Sequence, residues 1–378
     1  MIKKSINNKK FFFYNIHNLV HIRVEASVSK LILKQLNFQI GAFAIKNLKK
    51  KNKIPTIVIK SFSMIKNFKK NNTQRLIFHK HQGIVGKDFL DLENNIYIKK
   101  NKNIITIYAD FPNIFINFFI QLLILEKGYV FCHACAFQNK KKYTNIIAGA
   151  GGIGKTLIIS YVFDKLGYKY YGDDLVILGP KGDCLSFPRS FVIKKFHKNS
   201  LFDIFKKNKI PKWNLFELKL FIIENVPFAG LIKKILKKFN LYYKVAEILR
   251  PQEFLKSIPP NKIFGGKKLC NKGKINKLIY LDRTLSSNVK IKLNININKN
   301  EIVNRLASVI HNEFKPGYNQ IYSLGALNVI DLNKYFIKIY ENFKIALTDV
   351  KVLHLKIPLE KSQSEVNKFL KENKLLSK

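Results

Sequence analysis

Arginine is scarce in this chain. Of 68 basic residues only six are arginines: Arg23, Arg75, Arg189, Arg250, Arg283 and Arg305. Acidic residues number 24, cysteines four, methionines two and tryptophan one. Each shortage excludes something. Arginine is the residue that reads phosphates and base edges bidentately, so the formal net charge of +44 does not by itself mark a dedicated nucleic-acid surface. The lysines are mixed with Asn, Ile, Phe and Tyr, the residues of A/T-rich codons, and base bias accounts for the charge. That charge still favours acidic partners and non-specific RNA adhesion. Four cysteines in 378 residues are no disulfide framework, and the usage fits a reducing cytoplasm. Cys132 and Cys135 form a Cys-x-x-Cys without the second pair a zinc site needs. On a strand the two side chains point to opposite faces, so they read as buried small residues.

Long apolar runs are also missing. The most apolar stretch, Ile114 to Leu125, has twelve residues and contains Asn117 and Gln121, whereas a membrane-spanning helix needs ~20 apolar residues. The basic N-terminus carries an apolar run of four residues, Phe11 to Tyr14, and lacks a secretory pattern. These features predict a soluble, cytoplasmic protein with no membrane span. Hydrophobic residues make up 47% of the chain, too many for a disordered one. The length suggests about two or three domains.

Residues 1–125 read as a strand-rich leading region with no chemical motif. Val20 to Val28 alternates with period two, and Ile96 to Tyr108 reads as a hairpin around a "KKNKN" turn. Lys/Asn runs such as Asn47 to Lys53 read as solvated loops. A helix follows from Asp110, with Pro112 suited to its first turn and Gly128 to its C-terminal cap. Next come a strand "YVFCHACAF", a polar turn, a strand "TNIIAG", a helix from Lys155 to Leu166 capped by Gly167, and a strand "YKYYG". "LVILGPKGDCLSF" reads as a hairpin turning at Pro180 to Asp183. Residues 195–275 give no clear pattern. Lys274 to Arg283 reads as a strand. The tail carries helices near Lys299 to Glu313 and Asp331 to Ile345, a strand "VKVLHLKI", and a last helix with capping-box spacing at Ser362 and Glu365. The predicted organisation is a leading region 1–125, a core 126–295 and a mainly helical region 296–378. The predicted class is α/β, a P-loop nucleotide-binding core of mixed sheet and flanking helices.

Chemistry concentrates in one stretch. "GAGGIGKT" matches the P-loop (Walker A) pattern, with Gly149, Ala150, Gly151, Gly152, Ile153 and Gly154 leading into Lys155 and Thr156. Glycines let the backbone turn tightly and aim its N–H groups at phosphate oxygens, and the helix that follows adds its positive end. Lys155 can reach terminal phosphates, and Thr156 can offer a hydroxyl to Mg²⁺. The motif sits in the context it requires, after a strand and opening a helix. Asp173 and Asp174 follow the next strand. A parallel strand beside the turn would bring them to the same sheet edge, where one carboxylate could hold Mg²⁺ and the other accept a proton from an attacking hydroxyl. His133, on the strand before, reads alone as structural.

The order of a strand His, a Gly-rich turn ending in Lys-Thr, a helix, and Gly-aromatic followed by Asp-Asp resembles the HPr kinase/phosphorylase family, which shares its nucleotide fold with the ATP-dependent phosphoenolpyruvate carboxykinases. "SFPRSFVIKKF" (Ser186 to Phe196) also looks like a segment of HPr-kinase-related proteins. The resemblance covers about residues 129–200, and 245–290 weakly. It implies that Gly149, Ala150, Gly151, Gly152, Ile153, Gly154, Lys155 and Thr156 hold ATP and Mg²⁺. It makes Asp173 the general base toward a serine hydroxyl and Asp174 a metal or water-orienting partner, and it puts His133 near the transferred phosphate. It also implies subunit rings, whose interface residues are not identifiable here. The family's Glu-x-Arg-Gly-like signature is absent downstream of the aspartates, and the sequence shows no metal-binding Lys/His/Asp set of carboxykinase type. The expectation is an ATP-dependent kinase acting on a protein or peptide hydroxyl. The alternatives are a small-molecule kinase on the same fold and a non-catalytic ATP-binding module.

Overall fold

In a computed structural model, residues 11–45, 54–65, 75–79, 82–194, 254–259, 269–285, 290–313 and 317–377 are described. The chain divides into two compact units, Met1–Arg189 with Phe264–Lys378, and Ser190–Ile263. The run Asn47 to Lys53 and most of 195–275 lie outside the described residues.

The larger unit is mixed α/β. Its first sheet comes entirely from the leading region. The strands are β1 (Phe11–Ile16), β2 (Val20–Glu25), β3 (Ala44–Ile45), β4 (Ile57–Lys60), β5 (Arg75–His79), β6 (Gln82–Val85), β7 (Asp88–Asp91), β8 (Ile96–Asn101) and β9 (Ile104–Ala109). They lie in the order β3-β1-β2-β4-β9-β8-β7-β6-β5. The predicted hairpin is β8–β9, paired antiparallel from Ile96↔Ala109 to Asn101↔Ile104. The alternation expected from Val20 runs only to Glu25. The chain then turns, and Ser29 caps a helix the sequence reading missed, α1 (Lys30–Ile40). The Ser29 hydroxyl accepts from the Ile32 N–H, the usual N-cap bond, and Ile32, Leu36 and Ile40 bury one face at four-residue spacing.

Helix α2 (Phe115–Glu126) is apolar almost all round and almost wholly buried. The reason is that it contacts β2 of the first sheet, β10 (Val130–Cys132) of the second and a helix of the tail, so no face is left for water. Pro112 does not sit in its first turn, contrary to the sequence reading. The helix starts at Phe115, and Asn113 Oδ1 accepts from the Ile116 N–H at 3.3 Å, so this amide takes the starting role given to proline. Gly128 does adopt the left-handed backbone expected past the end, with φ 79°.

The second sheet continues with β11 (Ala134–Gln138), β12 (Thr144–Gly149), β13 (Lys169–Gly172), β14 (Val176–Gly179) and β15 (Asp183–Leu185), with α3 (Lys155–Leu166) between β12 and β13. In the smaller unit, β16 (Phe191–Lys194) pairs antiparallel with β17 (Phe254–Ile258). The larger unit resumes with β18 (Lys272–Thr284) and β19 (Lys292–Asn294), helices α4 (Lys299–Glu313), α5 (Tyr318–Ala326) and α6 (Leu332–Ala346), then β20 (Lys351–Pro358) and α7 (Gln363–Glu372). The sheet order is β10-β14-β15-β18-β12-β11-β13, with β20 on β18 and β19 on β20. The long strand β18 pairs parallel with both β12 and β20. Helix α5 was not foreseen. The capping box at Ser362 and Glu365 is present. Asn342 of α6 donates to the Leu125 and Tyr129 carbonyls, both at 3.0 Å, which satisfies orphan carbonyls where α2 ends.

Candidate functional site

The strand expected as one unit from Tyr129 breaks at His133. On one side Cys132 pairs with Val176 of β14; on the other Ala134 pairs with Ala148 of β12. Cys132, Ala134 and Ala136 join the main core cluster, while Cys135 lies against the start of α3, its thiol 3.6 Å from the Lys155 carbonyl. Both thiols are free and buried, and burial pushes Cys132 up to about 12.

The aspartates reach the glycine turn by a different route from the one expected. Strand β13 is not the neighbour of β12. Strand β11 lies between them, antiparallel to both. Two antiparallel steps restore direction, so β12 and β13 run the same way and leave the sheet at one edge. His133, at the head of β11, lies at that edge too.

The turn itself is shaped by close packing. Gly149 has φ 145°, and a Cβ there would meet the Leu281 carbonyl oxygen at 2.6 Å. Gly154 has φ 103°, and a Cβ there would meet Gln363 Oε1 at 2.7 Å and Arg283 Nη2 at 3.9 Å. Only glycine combines that backbone with that space. Gly154 precedes α3, and among the described residues no side chain caps the helix, leaving its first N–H groups for another partner. Lys155 is buried, 6% exposed, and its Nζ donates to the Gly149 and Ala150 carbonyls at 2.8 and 2.7 Å. Burial lowers its pKa, against the pull of Cys135, Asp173, Asp174 and Glu313.

The two aspartates face different company. Asp173 is half-buried and accepts the Thr156 hydroxyl hydrogen bond, at 3.0 Å to Oδ2. Burial, then the charge of Asp174, raises its pKa to about 6, against the Thr156 bond and the charges of Lys155 and His133. Asp174 adopts φ 82°, uncommon outside glycine but most tolerated by Asp and Asn. Its Oδ2 accepts from Arg189 Nη1 at 2.7 Å, and its Oδ1 is 3.6 Å from His133 Nδ1. Glu313, the last residue of α4, places Oε1 2.9 Å from the same His133 nitrogen. Burial alone would raise Glu313, but the contact with His133 and the charges of Arg189 and Lys155 outweigh it and hold its pKa low.

Every sequence-predicted site residue therefore lies at this edge, but the pairing differs from the assignment. Thr156 meets Asp173, not Asp174. Asp174, expected beside Thr156 on a metal, turns to Arg189 and His133. The sequence reading missed Glu313 and the role of Arg189. His133, Asp174 and Glu313 bring one ligand atom each within 4.8 Å of one another, a set that could hold a divalent cation. It joins residues 180 positions apart, so no spacing rule shows it. Arg189 lay in a segment the sequence singled out, and its guanidinium lies 5.7 Å from the Phe38 ring of α1. The leading region thus supplies part of the site wall.

No protein-family model matches the chain, and no curated protein matches it. Among solved structures, the chain is similar to the Hpr(Ser) kinase/phosphatase from Coxiella burnetii, at 10% identity over 65% of this chain and 96% of that chain, with a TM-score of 0.28. That is a distant relationship. Among the described residues, no helix is long and apolar enough to cross a membrane.

Proposed function

We propose that the chain is an ATP-dependent kinase that transfers the γ-phosphoryl group to a hydroxyl, serine-like, of a protein or peptide. The observation that carries this reading is Asp173. A carboxylate with its pKa raised to about 6 is hydrogen-bonded to the threonine that follows Lys155, beside a glycine turn that opens an uncapped helix.

The residues present fit a nucleotide and its metal. The turn offers backbone N–H groups and a helix N-terminus to phosphate, and Lys155 is the buried cation at its mouth. Thr156 supplies a hard oxygen donor of the kind Mg²⁺ takes. The bound Mg²⁺-nucleotide supplies an activated phosphoryl group and neutralises its charge. Residues 149–156 grip the phosphates and Lys155 neutralises them further. Asp173 accepts the proton from the acceptor hydroxyl. A base with a pKa about one unit below neutral is mostly ionised at pH 7, yet more basic than an ordinary aspartate. Asp174, fixed by Arg189, keeps a second carboxylate beside it, and that charge helps to hold the pKa of Asp173 up. His133, held between Asp174 and Glu313, lines the same edge.

The test is turnover of γ-labelled ATP with Mg²⁺ by purified protein, wild type beside Lys155→Ala and Asp173→Asn, with label followed into a cellular protein extract. Label entering a specific polypeptide, and lost in both variants, is expected. ATP bound in a Lys155-dependent way, with no acceptor labelled and no effect of Asp173→Asn, would leave a nucleotide-binding switch and no kinase.

A further inference from the structure

Beside the aspartate pair lies a cavity of about 110 Å³. Its walls come from several parts of the larger unit, among them Gln39 of α1, Gln121 of α2, Leu175 just after Asp174, and Ile310 of α4, with Arg189 and Glu313 also lining it. Most of the remaining lining is apolar. Three amide side chains, Gln39, Asn117 and Gln121, break that pattern, and two of them carry an unpaired atom. Gln121 is 1% exposed, and its Nε2, like the Oε1 of Gln39, is enclosed without a hydrogen-bond partner. A buried amide group left unpaired is costly, and such groups in a folded protein call for a partner. One unpaired donor and one unpaired acceptor thus belong to side chains that line the same space. A hydroxyl answers both, accepting from one amide and donating to the other. A carboxamide does so too. The two lining residues that carry charge, Arg189 and Glu313, are those that contact Asp174 and His133. The cavity therefore adjoins the reaction centre.

We infer that this cavity is the acceptor pocket, which rests on the kinase reading above. It takes one compact aliphatic group bearing a hydroxyl or carboxamide, from a residue of the acceptor polypeptide or from a free small molecule. The size sets a limit: a dry cavity of about 150 Å³ takes benzene, with six non-hydrogen atoms, so this one, at about 110 Å³, takes roughly four. It also gives the leading region a task, since Gln39 belongs to it.

The probe is propan-1-ol, with butane as the apolar comparison, each of four non-hydrogen atoms, followed by saturation-transfer NMR on the full chain. The alcohol is expected to bind wild type and Lys155→Ala alike and to be lost from Ile310→Trp, which fills the cavity. Gln121→Leu keeps the volume and removes an unpaired amide, so it folds at least as well; it is expected to weaken the alcohol at least fivefold and to favour butane. Alcohol that fails to bind, or that binds Ile310→Trp and Gln121→Leu undiminished, overturns the proposal and leaves a water-filled space. In the labelling assay, Ile310→Trp is expected to keep ATP binding and lose transfer. Label in a polypeptide or in the low-molecular-weight fraction identifies the source of the group. Undiminished transfer by Ile310→Trp separates the cavity from the acceptor and overturns the inference while the kinase stands. Wild type that labels nothing while the alcohol binds overturns the kinase reading and the acceptor role together, leaving a small-ligand site.

Discussion

Asp173 and Asp174 are neighbours in the chain and border two differently built regions. On the Asp173 side, everything comes from one continuous stretch. Gly149, Lys155, Thr156 and Asp173 follow one another through a strand, a turn, a helix and a strand. On the Asp174 side, each contact comes from elsewhere: Arg189 after β15, His133 at the break before β11, Glu313 at the end of α4. The first region has no arginine in it and leaves its carboxylate poorly compensated, with a pKa near 6. The second gives its carboxylate an arginine at 2.7 Å. The local region leaves its carboxylate with a raised pKa, which the proposed reaction uses to accept a proton; the assembled region holds its carboxylate in an ion pair.

The sharpest way to break this contrast is chemical. Asp173→Asn is expected to lower kcat by about 10²–10⁴-fold, the usual worth of a general base, with nucleotide affinity little changed. Wild-type kcat is expected to rise with pH as Asp173 loses its proton through about 6, and the variant should lack that limb. A rate–pH profile of both proteins decides it. Next in size comes Lys155→Ala. Truncating one partner of a buried charge pair costs about 2–5 kcal/mol, so nucleotide binding is expected to weaken roughly a hundredfold or more by calorimetry. Equal losses from both variants in both assays would erase the division between gripping and proton transfer.

The same carboxylate gives a stability prediction with a definite sign. Its folded-state pKa, about 6, lies above the value of about 3.9 in an unfolded chain. Between those values the folded protein holds a proton that the unfolded chain releases, so stability falls as pH rises through that window. A gap of about two units is worth at most about 3 kcal/mol. Asp173→Asn is therefore expected to stabilise the protein at pH 7.5 by up to that amount and to change little at pH 3.5. Urea unfolding at the two pH values measures it. A destabilised variant at pH 7.5 would mean that the bond from Thr156 outweighs the burial of charge.

What the sequence made legible divides along the same line. The turn, α3 and its Gly167 cap, and the capping box at Ser362 were readable because each is set by neighbours within a few residues. Helix α1 was also within reach, since Ser29 and the Ile32, Leu36 and Ile40 spacing are local signals; the alternation before it drew the reading toward strand. The partner of β13 was not readable. Strand β11 is inserted between β12 and β13 by hydrogen-bond pairing across the sheet, and no local pattern encodes which strand pairs with which. Glu313 ends an ordinary amphipathic helix, and nothing in its flanks separates it from Glu301 at the other end. In the sequence Gln121 is only a polar break in an apolar run.

The smallest effect is the most discriminating. Asp174→Asn keeps a residue that tolerates φ 82°, so the backbone should hold. It removes the charge facing Arg189, but this pair is exposed on the aspartate side, at 45%, and such pairs are worth about 0–1 kcal/mol. Stability should fall by no more than that. The charge of Asp174 is also one of the causes that raise Asp173. Without it the ionised form of Asp173 is easier to reach, so the acidic limb of the rate profile should move to lower pH, by less than one unit. A limb that stays still would belong to another group, and one that moves up would require the loosened Arg189 to withdraw its charge from Asp173 as well. Either result would show that the two aspartates are not the separable pair their contacts describe.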